Sequence, residues 1–162
     1  MADLRLVIAS PSAVRLCRPN QGGTTEAYPF VLATEGFFFG ALMKTQVSKT
    51  VFGSITIDGQ EYEHDVLIRL DGRVKRRKKK LSKEVYGTSH TISLAEAEHI
   101  YEPGAEVLLI GSGTYGMVSL SPEAANFLES QGVRVELQPT GSAVETWNNL
   151  SGSAIALFHI TC

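Results

Sequence analysis

Glu106-Val107-Leu108-Leu109-Ile110 decides how this chain folds. The segment is rich in branched apolar residues and too short for a helix, so it is predicted to be a buried strand. Downstream, Ser121-Pro122-Glu123 is a helix start, with Ser as cap, Pro in the first turn and an acid facing the helix dipole. That helix runs to about Gln131 and stops at Gly132. Val133-Arg134-Val135-Glu136-Leu137 alternates as a half-buried strand. Residues Ser142 to Leu150 read as a further helix and Ala154 to Ile160 as a last buried strand. A strand–helix–strand–helix–strand order implies right-handed crossovers and a largely parallel sheet covered on both faces.

Upstream of the deciding strand, Ser93 precedes Leu94 to Tyr101 with Glu96 three positions on, the spacing of a capping box. Pro103-Gly104 ends that helix. Earlier still, Phe52 to Ile57 alternates and meets Asp58-Gly59, a two-residue hairpin signal. Glu61 to His64 is the return strand, Val66-Leu67-Ile68 a more buried one, and Asp71-Gly72 a second turn. The expected fold class is therefore α/β with three layers. A mixed, mostly parallel sheet is flanked by helices and preceded by an antiparallel β-meander.

Residues 1–42 read differently. Arg5 and Pro11 spoil a secretory leader, and Asp3, Glu26 and Glu35 spoil a mitochondrial one. The expectation is a leader or tail of doubtful order before an α/β domain over residues 43–162, with Met43 as the native start. No apolar run approaches the ~20 residues that a membrane helix needs. Two unclustered thiols, Cys17 and Cys162, give no disulfide framework and fit a reducing, cytoplasmic compartment.

Charge is distributed unevenly. Eight of the 15 bases fall between Arg73 and Lys83 without one acid, which leaves seven bases against all 17 acids elsewhere. Lys75, Arg76, Arg77, Lys78, Lys79 and Lys80 form a basic surface in this reading. Clustered cations suit phosphates, but no aromatic residue interleaves to stack on bases and the rest of the chain is acidic. Nucleic acid is therefore not the expected partner. A solvated edge or loop, or contact with an acidic protein surface, accounts for the run, and lysine also keeps a strand edge from pairing.

Leu109-Ile110-Gly111-Ser112-Gly113, Gly132-Val133-Arg134-Val135, Ala143 to Leu150 and Phe158-His159-Ile160-Thr161-Cys162 follow one another in order. Together with Gly87-Thr88-Ser89-His90, they make Phe52 to Cys162 resemble the adipogenesis-associated domain family. That family is a widespread domain of unknown function, similar also to a mitochondrial respiratory complex I assembly factor. The resemblance implies a mixed-sheet domain with helices on both sides, and it supplies no catalytic residues. Trp147 stands where the animal relatives have Tyr, and the basic run departs from their Trp-containing segment.

Gly111-Ser112-Gly113-Thr114-Tyr115-Gly116 is a literal G-x-G-x-x-G after a strand, with Glu136 about twenty residues on. A dinucleotide site needs the third glycine to open a helix, and Met117 to Leu120 intervene. A tight glycine turn explains the motif more simply, and a small anion on loop amides is an intermediate reading. His90 is a candidate base, with Thr88 and Ser89 as hydroxyls and Asp65 as a carboxylate able to orient an imidazole. A hydrogen-bonded structural histidine is the plainer reading. Asp65, Gly87, Thr88, His90, Gly111, Ser112 and Gly113 thus make a candidate pocket.

His64, His99 and His159 show no metal spacing, and His99 is expected on the solvent side of its helix beside Glu96, Glu98 and Glu102. Strand alternation is expected to put His159 and Cys162 on opposite faces. No cofactor and no metal are expected. Two functions follow: a non-catalytic interaction or assembly module with a protein partner, or a small-molecule or anion site, enzymatic or not, between Gly87–His90 and Gly111–Gly116. The sequence leaves the oligomeric state open.

Overall fold

The computed structural model describes residues 44–162, so the expectations for residues 1–42 and for a start at Met43 lie outside the described residues. Three antiparallel strands come first: β1 (Val47–Val51), β2 (Ser54–Ile57) and β3 (Gln60–Tyr62). The Asp58-Gly59 turn joins the last two, both residues at positive φ (48° and 80°), as a tight hairpin demands. The chain then enters a second sheet through β4 (Val66–Ile68) and β5 (Val74–Arg76). Next come α1 (Lys80–Tyr86), the short strand β6 (Thr91–Ile92) and α2 (Leu94–Ile100). The rest is β7 (Val107–Ser112), β8 (Ser119–Leu120), α3 (Pro122–Ser130), β9 (Arg134–Gln138), α4 (Thr140–Asn149) and β10 (Ala154–His159).

The central sheet has the order β5-β4-β10-β7-β9. The three apolar segments read from the sequence lie side by side in it, β10 and β9 both parallel to β7. On the other flank, β4 runs antiparallel to β10 and β5 to β4. The sheet is mixed, and its parallel part is limited to those three strands. The meander read from the sequence is divided: β1 to β3 form their own sheet, while Val66–Ile68 joins the central one. Val66, Leu67 and Ile68 are all buried, and only a strand covered on both faces accommodates such a run.

Alternation along β7 and β10 sends side chains into two cores. Val107, Leu109, Ala156 and Phe158 pack with Trp147 of α4 and with Val47, Ile55 and Ile57 of the first sheet. Leu108, Ile110, Ile155 and Leu157 pack with Ile100 of α2 and Leu128 of α3. Burying each Leu or Ile side chain is worth about 1.5–3 kcal/mol, so the two faces hold the three layers together.

Four elements have no counterpart in the sequence reading besides β1: β5, α1, β6 and β8. The basic run continues from β5 into α1, which ends at Gly87 with φ 68° and its N–H bonded to Lys83 O at 2.9 Å. Strands β6 and β8 pair in parallel as a two-stranded sheet, which ties the 87–90 segment to the loop after β7. No helix among the described residues is long and apolar enough to cross a membrane.

Candidate functional site

The last residue of β10, His159, is the centre around which the candidate site assembles. It is buried, and its Nδ1 lies 2.7 Å from Asp65 Oδ2. Asp65 stands just before β4, the neighbour of β10 in the sheet, and also accepts the Ile160 N–H at 3.3 Å. Burial alone would push the Asp65 carboxyl up. The hydrogen bond from His159 and the charges of His159, Lys79 and Arg77 outweigh it and hold the pKa down to about 2. A carboxylate can only accept, so His159 Nδ1 carries the proton. Its Nε2 faces Thr161 Oγ1 at 3.2 Å.

Behind Asp65 lies a second ion pair. Arg77 Nε and Nη2 meet Glu96 Oε1 and Oε2 at 2.7 and 3.1 Å, and Nη1 reaches Asp65 Oδ2 at 3.4 Å. Both side chains of the Arg77–Glu96 pair are essentially inaccessible, 0% and 1% exposed. Arg77 Nη2 also donates to Ser89 O at 2.8 Å, which fixes the segment before His90. Ser82 Oγ bonds to Glu96 and accepts the Ser93 N–H at 2.8 Å. Half of the expected capping box therefore forms: Ser93 Oγ accepts the Glu96 N–H at 3.2 Å, while the Glu96 side chain turns inward to Arg77. Among the described residues no buried side-chain nitrogen or oxygen lacks a partner.

Two sequence expectations are corrected here. Arg77 belongs to the buried interior and not to a basic surface, because Glu96 and Asp65 neutralise it; its neighbours Lys75, Arg76, Lys78 and Lys80 are exposed and Lys79 is half-buried, 3.4 Å from Asp65. Glu96 likewise leaves the solvent face assigned to it. His99 is half-buried, and burial, followed by the charges of Lys78, Arg69 and Lys75, lowers its pKa.

The residues of the sequence-derived pocket divide. The His90 ring stands 5.6 Å from that of His159 in a T-shaped pair, and the His90 N–H donates to Thr88 Oγ1 at 3.2 Å. The carboxylate at Asp65 orients His159, not His90. Gly113 lies directly against the site: a Cβ there would strike the Cys162 carbonyl and come within 2.6 Å of Thr161 O and 3.1 Å of His159 Cδ2. Gly111 and Ser112 are buried in β7, with Ser112 Oγ bonded to Gln138 O at 2.8 Å. Gly87 is the cap of α1.

The glycine loop holds protein acceptors. Gly113 N–H goes to Thr140 Oγ1 at 2.9 Å, Tyr115 N–H to Cys162 O at 3.0 Å and Gly116 N–H to Gly113 O at 3.4 Å. Those three amides are already taken by protein acceptors, and β8 rather than a helix follows the loop, so the dinucleotide reading of the motif does not stand. Two surface cavities are present, one of them bordering the glycine loop at Thr114. One of about 320 Å³ is lined by Thr50–Phe52, Thr114, Pro139–Ser142 and Ile160, and one of about 460 Å³ includes Lys44, Arg69 and Trp147. Neither is lined by residues 87–90.

Alternation also fails for the final residues. β10 ends at His159, so its period no longer governs position 162. One donor atom each of His90, His159 and Cys162 lies within 4.8 Å of the others. His90 is far from the other two along the chain, which hides the three-residue cluster from any spacing rule.

The architecture defines an α/β domain with a mixed central sheet and a polar cluster at the carboxyl end of its parallel strands. The chain belongs to the family described as protein of unknown function (DUF498/DUF598), whose model matches residues 47–159. It is similar to a conserved hypothetical protein from Pyrococcus horikoshii at 37% identity, covering 72% of this chain and 99% of that one, with a TM-score of 0.67. A protein named MT938 is 31% identical over 74% of this chain and 100% of its own, with a TM-score of 0.62. A Xanthomonas campestris protein, 13% identical over 72% of this chain and 85% of its own with a TM-score of 0.59, shares the fold alone.

Proposed function

We propose that the domain is a non-catalytic interaction module of the assembly or regulatory kind, cytoplasmic and directed at a protein partner rather than nucleic acid. The observation that carries this reading is an apolar rim around the C-terminal segment. Phe52, Tyr115 and Met117 are 69%, 78% and 54% exposed, and Val51 is 47% exposed. Two backbone hydrogen bonds bring their segments to residues 160–162: Gly53 N–H to Ile160 O at 2.7 Å, and Tyr115 N–H to Cys162 O at 3.0 Å. Aromatic residues and Met are enriched in interface cores, and large exposed apolar residues in one place mark contact surfaces. The resemblance to adipogenesis-associated domains and to a respiratory complex I assembly factor supports the same class of role.

Affinity purification of the full chain from native extract, beside a Phe52→Ser/Tyr115→Ser variant, tests the reading. A stoichiometric partner held by the native chain and lost from the folded variant is the expected result. Equal recovery by both, or none by either, overturns it.

The His90–His159 pair with Gly113 beside it favours a second reading, a small-ligand site at the same end of the sheet. A thermal-shift screen of common metabolites, with chelator present, is expected to find a stabilising compound; uniformly flat midpoints would dismiss this reading.

A further inference from the structure

We propose that His90, His159 and Cys162 form a zinc-binding site. The inference rests on the location of the second reading and is independent of the interaction reading. Two imidazoles and a thiol are a donor set that borderline metals such as Zn²⁺ prefer, and here one donor atom of each lies within 4.8 Å of the other two.

Proximity is not the whole case. In metal sites a ligating histidine commonly gives its second ring N–H to a carboxylate, which fixes the tautomer and makes the ligating nitrogen more basic. Asp65 does this for His159: it takes the proton at Nδ1, so a neutral ring presents its lone pair at Nε2. That atom faces the hydroxyl of the half-buried Thr161 at 3.2 Å, which a metal at Nε2 would displace by rotation about χ1. Arg77, the nearest fully buried cation, is already balanced by Glu96.

The backbone around the other two donors is held as well. The His90 N–H bonds to Thr88 Oγ1 and its carbonyl accepts the Ser119 N–H at 2.7 Å. The Cys162 carbonyl accepts the Tyr115 N–H, and the residue takes a left-handed φ of 57°. Gly113 leaves room for this packing, since any side chain there would collide with residues 161 and 162. A tetrahedral zinc with Zn–N near 2.0 Å and Zn–S near 2.3 Å sets donor separations of about 3.3–3.6 Å. The His90 and Cys162 side chains, both half-buried, close a gap of at most about 1.5 Å by rotating towards the fixed His159. Three protein donors leave a fourth position for water or an exogenous ligand, the arrangement of sites that act on something.

The test uses the full chain, reduced and stripped by chelator, titrated with Zn²⁺ against a chromophoric competitor and separately with Co²⁺. One equivalent is expected, with the intense visible bands of tetrahedral Co²⁺ and a thiolate charge-transfer band in the near ultraviolet. Cys162→Ser should abolish that band, and His90→Asn should weaken Zn²⁺ binding by more than the ~10–100-fold lost with an outer-shell partner. Asp65→Asn should weaken it ~10–100-fold, the usual cost of losing a carboxylate behind a ligating histidine. Cys17→Ser should change nothing.

Absence of binding, weak octahedral Co²⁺ bands, or affinity that survives both His90→Asn and Cys162→Ser in folded protein would overturn the proposal. So would loss of the site in Cys17→Ser. A metabolite that shifts the melting midpoint with chelator present, while Zn²⁺ fails to bind, would sink the metal and spare the small-ligand reading.

Discussion

Phe158 and His159 are consecutive residues of β10, both buried, and they enter opposite kinds of interior. Phe158 packs into an apolar core where contacts are non-directional and many partners share the load. His159 enters a chain of polar groups, His159–Asp65–Arg77–Glu96–Ser82, in which each member has particular partners at hydrogen-bond distance. In the first region a lost group costs the contacts it made. In the second, the cost is also that of the charge left behind without a counterion in a poorly polarisable interior.

The sharpest way to break that comparison is to delete the Arg77 charge while keeping its bulk. Arg77→Met strands both Glu96 and part of the Asp65 charge, and removal of one partner from a buried pair typically costs about 3–5 kcal/mol. Urea unfolding at neutral pH should show a loss of that order with an unchanged slope. Arg77→Met/Glu96→Leu removes both charges and should recover most of it, because replacing a whole buried pair by apolar groups is often neutral. A double variant no better than the single one would mean that shape, not charge pairing, governs this region as it governs the core around Phe158.

The same division explains what the sequence made legible. The parallel strands, the capped helices α2 and α3 and the Asp58-Gly59 hairpin are local or periodic signals, and the structure has them. Arg77 and Glu96 defeated the reading because a charged residue inside a basic run, or on a Glu-rich helix, has no local mark of burial. What buries each is the other, 19 positions away. Asp65, Thr88, His90 and Gly113 were singled out, yet their focus was misplaced at His90. His159 shows no metal spacing, and strand alternation separates it from Cys162, a rule that lapses because β10 ends at His159. The helix α1 was hidden because its apolar and small residues, Leu81, Ser82, Val85 and Tyr86, are interrupted by charges that conceal the period.

Asp65 sharpens the comparison through pH. Its folded pKa is about 2 against an ordinary 3.8, so the folded state binds the proton more weakly than the unfolded chain. The carboxylate therefore contributes stability that is fully present above pH 3.8 and is lost as pH falls through about 2. The gap between the two values corresponds to roughly 2 kcal/mol. Asp65→Asn should be less stable than the native chain by about that amount at neutral pH, and the difference should shrink between those two pH values. Unfolding measured at several pH values in metal-free buffer checks this, with other carboxylates cancelling between the two proteins. A difference that stays constant down to the lower value would show that Asp65 acts by hydrogen-bond shape alone.

The smallest expected effect belongs to the residue beside the one with the largest. Arg76 ends β5, the edge strand of the central sheet, and is exposed, whereas Arg77 is buried. Exposed charges are well solvated whether or not a partner is near, so Arg76→Gln should change unfolding free energy by less than ~0.5 kcal/mol. Its role is expected at the edge: basic side chains on Lys75 and Arg76 discourage another strand from pairing with β5. Lys75→Gln/Arg76→Gln should therefore keep the native midpoint while raising light scattering on concentration. If Arg76→Gln alone costs as much as Arg77→Met, the boundary drawn between solvated and interior charge within this run is in the wrong place.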